Sequence, residues 1–150
     1  MTKYASFLVF LLLVAITAYS GTTYLPGPFY AALQKPAWTP PGEVFSPVWA
    51  TLYVLIALAG WIAWRAQGLG PLFWLWLLQL VLNGAWPYLM FGQKQITPAL
   101  IDIGALWLVI LAFIITAWPV RRTAALLFVP YFLWVSFAAA LNFEIWRLNS

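Results

Sequence analysis

Charged residues and proline-glycine clusters interrupt this chain so rarely that the stretches between them are long apolar runs. A helix needs roughly 20 apolar residues to cross about 30 Å of hydrocarbon. Five runs meet that length: residues 4–25, 45–64, 72–91, 98–118 and 124–146. The second lies between Glu43 and Arg65, and a Gly68-Leu69-Gly70-Pro71 turn opens the third. Thr97 and Pro98 read as N-cap and first helical residue of the fourth. The fifth follows Arg121-Arg122, carries Pro130 inside it and ends at Glu144 and Arg147. Lys3 and the run after it share the layout of a signal peptide, with Ala18-Tyr19-Ser20 as a crude cleavage site, but the run is longer than a signal core and reads as a retained span. The pattern predicts an all-α integral membrane protein, a five-helix bundle forming one domain over residues 1–150.

Composition agrees and removes alternatives. The chain is 65% hydrophobic and 7% charged, against roughly 45–50% and 25% in soluble domains, and its mean hydropathy is +0.93. A soluble globule is excluded. The net charge of +4 is scattered, with no basic stripe, so nucleic acid is not a partner. With no Cys and no His there is no disulfide, no Cys/His metal site, no His general base and no imidazole or thiolate ligand for haem iron. No metal site is expected and no cofactor is required. Five spans place Lys3, Arg65, Arg121 and Arg122 on one side and Lys35, Lys94 and Arg147 on the other, a bias toward a cytoplasmic N-terminus.

The polar and aromatic residues that remain are candidates for a site. Between the first two spans stand Pro26, Pro28, Pro36, Pro40, Pro41 and Pro47, with a short helix expected over residues 29–34. Proline fixes φ, so this segment is a stiff lid presenting Phe29, Tyr30, Leu33 and Trp38; an interfacial aromatic belt is the alternative. Gln79 and Asn83 are spaced i, i+4, with Trp86 on the same stripe and Pro87 placed to bend the helix. Phe45, Trp49 and Tyr53 form a second stripe, and Trp134, Phe137, Ala138, Leu141 and Asn142 a third. Hydrogen bonding between helices explains the amides equally well, but three such stripes beside a lid describe a covered apolar pocket with polar anchors. Asp102 lies about 6 Å into its helix and is read either as a bundle-facing carboxylate or as a proton- or ion-coupling group. Glu144 and Arg147 form an i, i+3 pair at the membrane boundary.

These residues carry a resemblance. Phe29 through Pro41, with Tyr30, Lys35, Trp38 and Pro40-Pro41, then Pro47-Val48-Trp49-Ala50-Thr51-Leu52-Tyr53, resembles the first loop and second helix of the TspO/translocator protein family, also called tryptophan-rich sensory proteins and peripheral-type benzodiazepine receptors. Gln79 through Pro87, Ala99-Leu100-Ile101-Asp102, and Pro130 through Asn142 match in order and spacing. The resemblance covers essentially the whole chain and implies a five-helix bundle, often a homodimer, whose pocket is closed by the first loop. It implies binding of porphyrins such as protoporphyrin IX and of isoquinoline carboxamide and benzodiazepine ligands. Carried over position by position, the binding residues are Trp49, Asn83, Trp134 and Ala138, with Tyr30, Trp38 and Pro41 in the lid. The animal cholesterol consensus is incomplete, because Phe143 stands where Tyr belongs, which puts cholesterol in doubt. A compact chain without extensions resembles bacterial members, and the expected location is a bacterial membrane, inner or outer.

Three functions compete on these grounds. A tetrapyrrole receptor or sensor fits the indole-lined walls, with acidic ligand groups meeting Lys35 or amide donors. Light-dependent porphyrin breakdown would make Trp49 and Trp134 the reacting residues, since no nucleophile-base pair is present. Transport of porphyrin or sterol finds neither inverted repeats nor paired intramembrane charges.

Overall fold

The computed structural model describes residues 3–150; Met1, Thr2 and the Lys3 side chain, which the charge count above includes, lie outside the described residues. Its helices are α1 (Lys3–Thr23), α2 (Gly27–Ala31), α3 (Phe45–Gln67), α4 (Pro71–Pro87), α5 (Ile96–Ala117), α6 (Arg122–Leu127) and α7 (Val129–Leu148). Five spans result, with α6 and α7 together forming the last. The protein is a multi-pass membrane protein.

The boundaries follow from backbone chemistry. α3 stops where Gly68 takes φ +60°, a left-handed conformation natural to glycine, and Pro71 opens α4 three residues later. α4 ends at Pro87 and passes into a π turn over Tyr88–Gly92, where the Gln93 N–H donates to the Tyr88 carbonyl at 2.7 Å. Gly92 allows a close approach there, since a Cβ would stand 2.8 Å from the Tyr24 ring and force it to shift.

Three sequence expectations are corrected. The last span is broken at Phe128: the Pro130 nitrogen has no proton for the carbonyl four residues back, so α6 closes and α7 restarts with Pro130 in its first turn. Thr97 does not cap α5, which begins at Ile96 after an extended Gln95; its hydroxyl instead accepts the Trp146 indole N–H at 3.1 Å. The helix expected over residues 29–34 occupies Gly27–Ala31, because Pro28 fits an opening turn.

In the bundle α4 touches α1, α3 and α5, α7 lies on α5, α1 lies on α3, and α6 lies on α3. Indole N–H groups join these neighbours. Trp61 donates to Ser6 (2.9 Å) across α3/α1, Trp76 to the Ile56 carbonyl (2.9 Å) across α4/α3, and Trp107 to Ser136 (2.7 Å) across α5/α7. Trp86 reaches Asn142 (2.8 Å) across α4/α7. Away from water such a bond satisfies a donor that would otherwise cost free energy. The bonds from Trp107 and Trp146 define one antiparallel register of α5 and α7, which sets Asp102 level with Leu141 and Asn142. Trp76 is fully buried and lies so close to Gly60 that a Cβ there would be 2.4 Å from its ring.

Candidate functional site

Two features mark the packing of α7 against its neighbours. The first is polar. The Tyr131 hydroxyl on α7 donates to Gln79 Oε1 (2.8 Å) and accepts from Asn83 Nδ2 (2.8 Å), while the Tyr53 hydroxyl on α3 donates to Asn83 Oδ1 (3.3 Å). The i, i+4 spacing of Gln79 and Asn83 turns both amides to one buried face of α4, so a single phenol ties α4 to α7. Tyr131 is fully buried; the sequence reading passed over it because a lone tyrosine in an apolar helix carries no periodic signal.

The second feature is aromatic and lies where α3 passes α7. Trp49 meets Trp134 at 6.5 Å between ring centroids and nearly perpendicular planes, Phe45 meets Trp134 at 5.6 Å, and Trp49 rests on Tyr53 at 5.4 Å. Trp49 also approaches Tyr131 at 6.4 Å, linking the aromatic set to the polar hub. Beside them runs an apolar groove of about 620 Å³, bounded on α3 by Pro47, Val48, Thr51 and Leu52 and on the opposite side by Pro130, Leu133, Trp134 and Phe137. Trp134 Nε1 is buried with no acceptor.

The segment between α1 and α3 is anchored at both ends of its course. Tyr30 on α2 packs edge-on against Phe91 (5.5 Å), and with Leu33 covers the cluster of Met90, Ala99, Leu141 and Ile145. Burial pushes the Tyr30 hydroxyl above the usual tyrosine range. The Lys35 ammonium donates to the carbonyls of Tyr30, Ala31 and Leu33 and sits 4.7 Å from the Tyr30 ring centroid, so its charge closes the turn. Gln34 and Asn149 exchange two hydrogen bonds, at 3.0 and 2.8 Å, which strap this segment to the end of α7. From there the chain descends along α7 until Trp38, 47% exposed, meets Phe137 at 5.6 Å. Pro41 is exposed and precedes a 3-10 turn, Gly42–Val44.

The candidate residues therefore fall into three places. Trp49 and Trp134 touch, and Trp38 reaches the same groove through Phe137. Asn83 lies deeper, with both its carbonyl oxygen and its amide nitrogen engaged by tyrosines; Ala138, half-buried one turn beyond Trp134, packs against the main core. Tyr30 sits apart, over the bundle end. The sequence missed Val48, Thr51 and Leu133 as groove residues, since each looks like ordinary apolar or small filling. Asp102 faces the bundle with 8% exposure, and its Oδ2 has no hydrogen-bond partner. Asn142 accepts from Trp86 while its own Nδ2 is unpaired, and Glu144 and Arg147 form an exposed ion pair at 2.7 Å. Among the described residues no group of His, Cys, Asp and Glu is placed to hold a metal.

Five spans, a closed polar interior and an open aromatic seam define a polytopic helical membrane protein with an apolar groove between α3 and α7. The chain belongs to the TspO/MBR family, which matches residues 6–147. It is 36% identical to the tryptophan-rich sensory protein of Cereibacter sphaeroides, over 97% of this chain and 92% of that one. Protein CrtK of Rhodobacter capsulatus is 35% identical over 95% and 92% of the two chains. The translocator protein of Sus scrofa is 39% identical over 81% of this chain and 75% of its own.

Proposed function

We propose that this protein is a membrane tetrapyrrole receptor or sensor that takes protoporphyrin IX into the α3/α7 seam, and that isoquinoline carboxamide or benzodiazepine ligands compete there. The observation that carries this reading is the groove of about 620 Å³ with Trp134 in its wall, whose indole N–H is buried without an acceptor and is uncovered when α3 and α7 part. A flat macrocycle gains from the indole and phenyl faces, and a polar group on it supplies the acceptor that Trp134 lacks. Insertion asks α3 and α7 to part, and among the described residues no hydrogen bond joins these two helices directly. Asn83 joins the ligand by exchanging its long 3.3 Å bond from Tyr53, and Ala138 leaves room one turn further on. Trp38 and Pro41 close the outer side; Tyr30 holds the lid in place from the bundle end. Lys35 is committed to backbone carbonyls and is left out of the ligand contacts. No cofactor is needed for binding, and homodimerisation, which the family likeness implies, belongs to the same reading. Ala59 and Ala63, small enough for a helix contact, are fully buried within the protomer and cannot supply the dimer face.

The test is a titration of the detergent-solubilised protein with protoporphyrin IX, read by quenching of intrinsic tryptophan fluorescence. Saturable quenching is expected, with Trp134→Phe weakening it by about 1 kcal/mol through loss of the N–H donor. Quenching that rises linearly with porphyrin, alike in both forms, would remove the site from the seam.

A second reading, light-dependent porphyrin breakdown, is favoured by the edge-to-face contact of Trp49 and Trp134 beside the groove, which puts two oxidisable indoles next to an excited ligand. Loss of porphyrin absorbance under illumination at saturating protein decides it. Bleaching that survives in Trp134→Phe and Trp49→Phe, or that matches porphyrin in detergent alone, leaves binding as the function.

A further inference from the structure

The opposite end of the bundle holds a second, smaller cavity, of about 250 Å³, lined by Trp61, Ile62, Arg65 and Arg121. Its two arginines come from separate spans, and packing places both at one cavity. Ala59 and Ala63 on α3 and Ala124 and Ala125 on α6 are all fully buried, and these small side chains let α6 lie against α3 just where the last span begins. Arg65, in the last turn of α3, then lines the same cavity as Arg121, the residue preceding α6.

Nothing on this side balances their charge. The chain's acidic side chains are Glu43, Asp102 and Glu144; the first precedes α3, the second lies in the early turns of α5 and the third in the last turns of α7, all toward the other end. Among the described residues the ion pair formed is Arg147 with Glu144, and neither Arg65 nor Arg121 has a carboxylate partner. Arg65 lies over the Trp61 ring at 5.2 Å, and Arg121 bonds its neighbouring Val120 carbonyl through Nη1, which leaves most of both donor forks available. Trp61 is held in place by its bond to Ser6 and by Phe7 at 5.4 Å, so the apolar wall of the cavity is fixed. Two like charges lining one cavity repel each other, and an anion between them turns that repulsion into attraction.

We propose that Arg65 and Arg121 seat the phosphate of an anionic phospholipid headgroup from the adjoining leaflet. Both arginines stand at span ends, the depth at which phosphates lie, with Trp61 and Ile62 as the apolar border along which acyl chains continue. Guanidinium forks match phosphate oxygens in geometry as well as charge. The cavity has less than half the volume of the seam between α3 and α7, which suits a headgroup and not a macrocycle.

Native mass spectrometry of the full chain titrated with phosphatidylglycerol tests this. One lipid should be retained preferentially over phosphatidylcholine, and Arg65→Gln and Arg121→Gln should each weaken it about fivefold. Arg122→Gln is the control, because Arg122 lies over Trp118 at 4.6 Å and does not line the cavity; it should leave retention within about twofold of wild type. Equal losses in all three variants would replace the seat with diffuse charge attraction, and displacement of the lipid by sodium phosphate at the same concentration would make it a site for free anions. Either result overturns the proposal. Thermal midpoints guard against misfolding: added phosphatidylglycerol should raise the wild-type midpoint and raise those of Arg65→Gln and Arg121→Gln by less at the same lipid concentration. All variants should quench normally with protoporphyrin IX, so failure here is distinct from failure of the receptor reading.

Discussion

The contacts of α7 with α4 and α5 and the contact of α3 with α7 are built from the same residue types to opposite effect. In the first, Tyr131, Gln79 and Asn83 exchange hydrogen bonds in a fully packed interior, and Trp86 and Trp107 pin their neighbours with directed N–H bonds. In the second, Trp49, Phe45 and Trp134 meet edge to face, among the described residues no hydrogen bond joins the helices through these rings, and an apolar groove remains alongside. Lipid is as apolar as a leucine side chain, so helices in a membrane are held by fit and by polar bonds instead of by escape from water. Hydrogen bonds therefore mark what is fixed, and bare aromatic edges mark what can part. A ligand that replaces ring with ring at the seam meets, among the described residues, no hydrogen bond between α3 and α7; the nearest link is the bond of Tyr53 on α3 to Asn83 on α4.

The tightest fit of α4 is against α3, and it is the place to test how firmly the interior is held. Gly60→Ala puts a methyl group 2.4 Å from a Trp76 ring that is itself fully buried and bonded to Ile56, so neither side can yield cheaply. We expect a loss of roughly 2–3 kcal/mol, read as a lower thermal midpoint in detergent. An unchanged midpoint would show that α3 and α4 are looser than this contact implies. Next in size is Tyr131→Phe, which keeps the ring but strands Gln79 Oε1 and Asn83 Nδ2. A loss of about 1–2 kcal/mol is expected, below the sum for two orphaned groups because polar side chains in a membrane find other partners.

The spans were legible because charge is so costly in hydrocarbon that Glu43, Arg65 and the Arg121-Arg122 pair bound them almost unaided. Gln79 and Asn83 were legible as a shared face by spacing alone. Their partner was not, since Tyr131 looks the same in sequence whether it faces lipid, a cavity or an amide. The break at Phe128 escaped for a related reason: Pro130 is compatible both with a kinked helix and with the first turn of a new one, and tertiary packing of α6 on α3 chooses. The stiffness of the proline-rich segment was readable from its prolines, but its strap to Asn149 joins residues 115 apart in sequence and leaves no local trace.

That strap gives a smaller effect than either core change. Asn149→Ala removes the exchange with Gln34 at the surface and leaves Tyr30 and Leu33 packed on the bundle end. We expect about 1 kcal/mol, confined to local opening. Hydrogen exchange reads it directly: the Gln34 amide should lose protection while the amides of α4 and α5 keep theirs. Global loss of protection would mean that the proline-rich segment carries the bundle's stability and is no separate element.

The smallest change in stability should come from the seam, and there it sharpens the contrast most. Leu133 lines the groove but is 62% exposed, so Leu133→Ala deletes atoms that face lipid and opens no cavity in the packed interior. Its thermal midpoint should match wild type to within about 0.5 kcal/mol, as for exposed positions generally. A macrocycle seated in the groove would nevertheless lose apolar wall, and protoporphyrin IX should bind about fivefold more weakly, a change on the order of 1 kcal/mol for the methyl and methylene groups removed. The two measurements pull apart only if the seam is a place for a ligand and the α4/α7 interior is not. In Tyr131→Phe the order reverses, with stability falling more than affinity. Should Leu133→Ala instead unfold as readily as Tyr131→Phe, α3 and α7 are held together along the groove itself, and the ligand has to enter elsewhere.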